Sequence, residues 1–475
     1  MPPLQKHNFN AADDSYDKEC DTDKIVVSEE EVIIGPIRDC PKFRILIVGQ
    51  TGVGKSTILS KVFRITDLEA GVSRSAVGTK THQVWNGITF PGQNDRIIIH
   101  DSGGFESSDM DNMNEVEKFI RFRKEQPTLS EQLHCIWYCI SCRSTRPIQK
   151  SENYFFNTVD VGKIPVVAVF TQFDVLESNW FGQKMMSAMR NPSQLDPIAI
   201  KREAEYAAIA DYDKNYRSQL INCIGLTSRV GIERVGFAPG EDDSEHVDRL
   251  VSQTMKNLQQ EGLKTLWISA QRHSADLKLF ASVDQGIKYF WRSVGAATVP
   301  FVPLIGANGL YRAFDKAFNC ITLLWAIPDP DKLLFNAKIR RRFMEGGFNI
   351  TMGQRIGRRF LESINILGPL TASLTAATFL KMIASITLIH ELLFWREWVP
   401  NGHHLPLSEQ DIETACRKFS RSWSRGKMVA YVEGRMTAGT WSSKRECHQL
   451  CLEAVDMGRS DLYNDFTRKS FCISR

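Results

Sequence analysis

Between Lys42 and Leu59 the chain reads KFRILIVGQTGVGKSTIL, a short apolar run, a glycine-rich turn and the start of a helical pattern. Phe43 to Val48 has the β-branched, near-continuous apolar composition of a strand buried in a parallel sheet. It runs directly into Gly49-Gln50-Thr51-Gly52-Val53-Gly54-Lys55-Ser56, and helical patterning begins with Thr57, Ile58 and Leu59. The glycines let successive backbone N–H groups turn inward around an anion, and the following helix aims its positive end at the same point. Lys55 can reach the β- and γ-phosphates of a nucleotide, and the Ser56 hydroxyl is placed to ligate Mg2+. A chance glycine-rich turn would not carry both flanks. The stretch demands an α/β fold, with Gly49 to Thr57 holding the phosphates of a nucleoside triphosphate.

The 475 residues suffice for two or three domains, each with its own core. A net charge of +4 gives no reason to expect a nucleic-acid partner. The 11 cysteines are odd in number and show no repeating spacing, which favours free thiols in a reducing cytosol. Residues 1–40 are rich in acids and contain no apolar core of a secretory signal. They read as an acidic, flexible tail, and the expected location is cytoplasmic.

Residues 66–80 lose apolar periodicity, as a segment crossing a nucleotide would, and Thr79 and Thr81 lie at its end. A threonine from such a segment closes on Mg2+ and the γ-phosphate when triphosphate is bound. Thr79 is the expected residue, with Thr81 the alternative. His82 to Phe90 alternates around Asn86-Gly87, a hairpin signal, and Ile97 to Ile99 reads as the next strand. That strand ends at Asp101-Ser102-Gly103-Gly104. A carboxylate there can hold Mg2+ through water, and the Gly104 N–H can sense the γ-phosphate. Leu133 to Ile140 is a further apolar strand. Its Cys135 and Cys139 share one face while His134 takes the other, which favours a core strand over a metal site. Val166 to Phe170 is another, ending in Thr171-Gln172-Phe173-Asp174. The Asp174 carboxylate can accept from the guanine N1–H and exocyclic amine, a donor pair that adenine lacks. Cys223 to Leu226 reads as the last strand, with Thr227 and Ser228 where a backbone N–H would meet the guanine carbonyl oxygen.

In this order the motifs resemble a small-GTPase-type G domain of the Era and septin branch. The strands LHCIWYCI and VVAVFTQFD are similar to those of immunity-associated and chloroplast-import-receptor GTPases and of large fungal G-domain proteins. The resemblance covers about residues 41–275. It implies a six-stranded, mostly parallel sheet with helices on both faces, and GTP or GDP with Mg2+ as the ligands. Two departures stand out. The usual Asn-Lys-x-Asp signature is Thr171-Gln172-Phe173-Asp174, so the lysine that stacks on the base is replaced. Phe105 follows Asp101-x-x-Gly104 where Ras-like enzymes carry a water-orienting glutamine. A phenyl ring cannot orient water by hydrogen bonding, so hydrolysis should be slow unless a second copy or an activating partner supplies the missing group.

The remainder reads as helical, first over Asp243–Leu258 and Leu263–Trp291. Residues 276–400 form an expected helical domain and 401–475 a helical tail, patterned over Ser408–Lys418 and Ser443–Val455. Ser293–Tyr311 and Ile364–Leu380 lack charge and sit at the lower edge of the length that spans a bilayer. Buried helices and membrane insertion are the two readings. Between them Lys338, Arg340, Arg341, Arg342, Arg355, Arg358 and Arg359 would make either a solvated basic face or a surface for anionic lipid. Cys447 and Cys451 share a helical face and read as packing. The expectation is a GTP-binding switch with slow Mg2+-dependent hydrolysis. Its rivals are an ATP-using phosphate-loop enzyme and a scaffold that binds GTP without turnover.

Overall fold

Residues apolar on both faces put Phe43–Gly49 at the middle of a sheet, since each alternate side chain must find its own cover. The structure is a computed structural model. It describes residues 37, 40–65, 83–91, 94–104, 110–190, 196–225, 229–238, 240, 242–272, 275–297, 303–340, 343, 369–396, 406–436 and 443–462. Gly35–Ser274 forms one compact unit, and the chain from Ala275 onward belongs to another.

In the first unit, β1 (Phe43–Gly49), β2 (Ile88–Phe90), β3 (Asn94–Asp101), β4 (Cys135–Ser141), β5 (Val166–Thr171) and β6 (Gly231–Arg234) build one sheet. The order is β2-β3-β1-β4-β5-β6, parallel throughout except for β2 on β3. This is the expected six-stranded α/β sheet. Its helices are α1 (Lys55–Phe63), α2 (Met110–Lys124), α3 (Lys150–Thr158), α4 (Phe173–Met189), α5 (Pro197–Tyr212), α6 (Ser218–Ile224), α7 (Ser244–Asn257) and α8 (Glu261–Ala270).

Strand alternation sorts the side chains between two layers. Leu46, Val48, Ile136, Tyr138, Ala168 and Phe170 share a core with Phe119 of α2, Phe155 of α3 and Tyr212 of α5. From the other face Phe43 meets Trp267 of α8 at 4.9 Å between ring centroids, and Trp137 stacks on Phe63 of α1 at 5.8 Å. The Trp137 indole N–H donates to Thr254 Oγ1 of α7 at 3.1 Å, so the ring is buried without an orphan donor.

Two expected strands are corrected. No hairpin turns at Asn86-Gly87: Gln83–Trp85 is a 3-10 turn, and β2 pairs with β3 instead. The Val84 carbonyl is 2.8 Å from His100 Nδ1, so a side chain takes the bond a ladder partner would have made. Of the expected strand Cys223–Leu226, the described residues 223–225 are not a strand either. Cys223 and Ile224 end helix α6, with Leu220 fully buried, and the last strand is Gly231–Arg234.

The helical unit contains α9 (Asp276–Ala297), α10 (Pro303–Trp325), α11 (Pro369–Arg396), α12 (Glu409–Arg421), α13 (Trp423–Arg435) and α14 (Lys444–Leu462). The expected run from Leu263 to Trp291 is therefore two helices, α8 and α9. Ala376–Arg396 is long and apolar enough to cross a membrane, yet 83% of its apolar stretch is buried. Its acid is answered inside the unit. Arg459 of α14 donates to Glu391 Oε1 from Nε at 3.0 Å and from Nη2 at 2.7 Å, and pairs with Asp276 at 2.8 Å. Removing one member of such a buried pair costs about 3–5 kcal/mol, which ties α14 to α11. Of the basic stretch, Lys338 pairs with Glu409 at 3.6 Å and Arg340 with Asp315. Arg341, Arg342, Arg355, Arg358 and Arg359 lie outside the described residues.

Three buried histidines set an acid limit. Burial holds His134 and His390 down to about 4 and His100 to about 3. The unfolded value is about 6.5, so the folded values lie below it. Their stabilisation is complete above pH 6.5 and is lost as the pH falls towards 4, on the order of 3 kcal/mol each for His134 and His390. Thermal unfolding should therefore shift steeply downward below about pH 6. His390→Asn should flatten this limb for the helical unit; an unchanged limb would mean that carboxylates alone drive acid unfolding.

Candidate nucleotide site

The carboxyl ends of β1, β3, β5 and β6 open on one edge because these strands are parallel. The chain leaves β1 towards β3 on one side and returns to β4 on the other, so the crevice lies beside the loop after β1.

Within that loop Lys55 opens α1 and is only 8% exposed. Its Nζ donates to the Gly49 carbonyl at 3.0 Å and the Gln50 carbonyl at 3.2 Å, so the cation lies across the turn. Ser56 and Thr57 are exposed on the first turn of α1. Asp101 closes β3, and its Oδ1 accepts from the Gly103 N–H at 3.0 Å. Burial raises the Asp101 carboxyl above its usual range, against the pull of the Lys55 cation. A Cβ at Gly104 would come 2.8 Å from Thr51 Oγ1 and 3.2 Å from Lys55 Nζ, so the Asp101–Gly104 loop lies directly on the phosphate loop.

The loop after β5 is fastened to the same place. Thr171 Oγ1 donates to the Val53 carbonyl at 2.6 Å, and Gln172 Nε2 to the Gly52 carbonyl at 3.0 Å. Asp174 sits in the first turn of α4, and its Oδ1 accepts from the Phe237 N–H at 3.2 Å. A Cβ at Gly236 would come 2.5 Å from the Asp174 nitrogen, so only glycine lets the loop after β6 seat there. The Val235 N–H donates to the Phe170 carbonyl at 2.7 Å and holds that loop in line with β5.

Thr79, Thr81, Phe105, Glu106, Thr227 and Ser228 lie outside the described residues. In chain order Thr227 and Ser228 precede β6, whereas Val235–Ala238 follow it and reach Asp174. Sequence reasoning missed Gly236 and Phe237 because it placed the strand too early. The run Val235-Gly236-Phe237-Ala238-Pro239-Gly240, turn-forming after a short strand, was the available signal. A cavity of about 310 Å³ flanks the phosphate loop on its β4 side, lined by Gln50, Gly52, Ser141, Arg143, Glu152 and Gln172. Glu152 is buried there and accepts from the Gln149 N–H at 3.0 Å and the Tyr138 hydroxyl at 3.2 Å.

Residues 44–172 match the family described as 50S ribosome-binding GTPase. Residues 361–461 match a domain of unknown function (DUF8505), a span that takes in α11, α12 and α13 and all but the last residue of α14. No curated protein matches the chain. The first match runs from β1 to the end of β5 and supports a GTPase-type G domain there, with guanine nucleotide as its ligand.

Proposed function

We propose that this chain is a GTP-binding switch of the Era and septin branch that hydrolyses GTP slowly with Mg2+ and couples its nucleotide state to the helical region. The reading is carried by one juxtaposition. Asp174, a base-reading carboxylate, stands on the same sheet edge as Lys55, and Thr171 and Gln172 fasten its helix to the phosphate loop. The Phe237 N–H is taken by Asp174 and the Gly236 N–H by His246 Nδ1 at 3.2 Å. In this reading the Ala238 amide, next along that loop, meets the guanine carbonyl oxygen, in place of Thr227 or Ser228.

Asp101 and Ser56 supply hard oxygen donors that suit Mg2+, and a raised carboxyl is one whose burial a cation relieves. Mg2+, when bound, neutralises charge on the β- and γ-phosphates. Lys55 and the loop amides stabilise the charge that develops on the leaving phosphate. In this reading Thr79 closes on the metal and the Gly104 N–H faces the γ-phosphate. With Phe105 in place of a glutamine, the attacking water lacks its orienting group, and a second copy or an activating protein provides it.

Two measurements test this. Denaturing the purified protein should release guanine nucleotide; adenine nucleotide would sink the reading. Single-turnover GTP hydrolysis should need Mg2+ and run on the order of 10⁻⁴ per second. A rate that rises with protein concentration would indicate completion by a second copy. Tight GTP binding with no phosphate release at any concentration would leave a nucleotide-stabilised scaffold.

A further inference from the structure

Two N–H donors converge on one histidine nitrogen beside the base-reading helix. His246 lies half-buried in the first turn of α7, and its Nδ1 accepts from the Gly236 N–H at 3.2 Å and from Arg249 Nη2 at 3.0 Å. A backbone N–H and a guanidinium can only donate, so Nδ1 carries no hydrogen and the ring is neutral, with its proton on Nε2. Arg249 is itself held by Glu245 at 2.8 Å and by Glu233 of β6 at 3.4 Å. The loop after β6 is bonded residue by residue. The Phe173 N–H donates to the Val235 carbonyl at 3.1 Å, the Gly236 N–H to His246, and the Phe237 N–H to Asp174 Oδ1 at 3.2 Å. A Cβ at Gly236 would lie 3.1 Å from Asp174 Cβ, so the Gly236 amide stands beside that side chain. Without an acceptor of its own, this amide would compete with guanine for the carboxylate lone pairs.

Protonation undoes this arrangement. A ring charged at Nδ1 presents a hydrogen to two donors, and both contacts turn repulsive. Burial holds the His246 imidazole below its usual value, and the cations of Arg249 and of Arg234 on β6 act in the same direction, against the carboxylates of Glu245 and Asp243. The other charges around it are engaged: Asp243 pairs with Lys61 of α1, Glu233 with Arg249, and Asp174 with the Phe237 N–H. The neutral ring is therefore complete above the ordinary histidine value of about 6.5, and is lost as the pH falls through the lower value of the folded site. We propose that neutral His246 is a positioning residue of the guanine-reading loop, keeping the Gly236 amide off Asp174, and that its protonation selectively weakens guanine nucleotide. The proposal rests on the nucleotide reading above and deepens its base side.

The test uses the full chain and measures Kd for GTP and ATP between about pH 7.5 and about pH 5.5, the range in which histidine changes charge. The proteins are wild type, His246→Ala, His246→Asn and Arg249→Leu. At the upper pH, His246→Ala should weaken GTP about tenfold, the worth of one well-placed hydrogen bond, and leave ATP within about threefold. ATP serves as the control because it engages the phosphate loop without the guanine contacts. His246→Asn puts an amide oxygen where Nδ1 was, so it should bind GTP within about threefold of wild type. That oxygen does not titrate. Wild type should therefore lose its preference for GTP over ATP on acidification, while His246→Asn keeps it. The carboxylates and the nucleotide phosphates titrate in both proteins, so the difference between the two profiles belongs to His246. Arg249→Leu removes a cation that opposes protonation and should move the acid loss to higher pH. If His246→Ala does not fold, the profile of His246→Asn decides alone. Equal acid loss in wild type and His246→Asn, or GTP and ATP weakened together in His246→Ala, overturns the proposal. A wild type with no preference for GTP at any pH sinks the guanine reading and this proposal with it. A GTP-selective wild type whose affinity is unmoved in His246→Ala sinks this proposal alone.

Discussion

Asp174→Asn is expected to move the nucleotide preference from guanine to xanthine. In the proposed site the carboxylate accepts from the guanine N1–H and exocyclic amine, both in a partly desolvated crevice. The substitution preserves shape. Its amide oxygen can still accept from the Phe237 N–H, which now bonds Asp174 Oδ1 at 3.2 Å, so the loop after β6 should stay seated. The amide nitrogen then meets the guanine amine donor to donor. A clash of this kind costs about 3 kcal/mol, so GTP affinity should fall on the order of a hundredfold. Xanthine carries a carbonyl where guanine carries the amine, and XTP should regain what GTP loses. A carboxylate that only caps α4 would give no such exchange. The measurement is a pair of Kd values, GTP and XTP, for each protein; an unmoved ratio makes Asp174 structural.

Lys55→Ala should abolish measurable triphosphate binding and leave the folded chain largely intact. Its Nζ now bonds two neutral carbonyls, those of Gly49 and Gln50, each worth about 1 kcal/mol to stability. Bonds to charged phosphate oxygens are worth about 1.5–3 kcal/mol each, so losing two of them lowers affinity by about a hundredfold or more. The imbalance predicts the outcome: ligand loss outweighs fold loss. GTP at about a thousandfold above its Kd stabilises wild type by roughly 4 kcal/mol. For a unit of this size that is a melting shift of about 10 °C, which the variant should not show. A full shift in Lys55→Ala would place the phosphates elsewhere.

What the sequence determined by itself was the contiguous part of the site. Strand, glycine turn, Lys55 and helix follow one another within Phe43–Phe63, and each signal is local backbone chemistry. Asp101 and Asp174 were legible for the same reason, as acids at the ends of apolar strands. Their convergence with Lys55 follows once the strands are parallel. Tertiary structure decided the rest. Gly231–Arg234 is a short, charged edge strand with no periodicity of its own, and only its register against β5, with Val167 opposite Gly231, makes it the last strand. That choice puts Gly236 and Phe237, which follow the strand, against Asp174, while Thr227 and Ser228 precede it. Gln172 reads in sequence as the loss of a lysine, but its partners Ser141 and Gly52 lie 31 and 120 residues away, and only folding brings them to its amide. The apolar stretch of α11 suits a bilayer or a core equally well, since composition measures only the preference for leaving water. In the fold Arg459, 68 residues from Glu391, meets that carboxylate inside the bundle, and no local pattern encodes so distant a pairing.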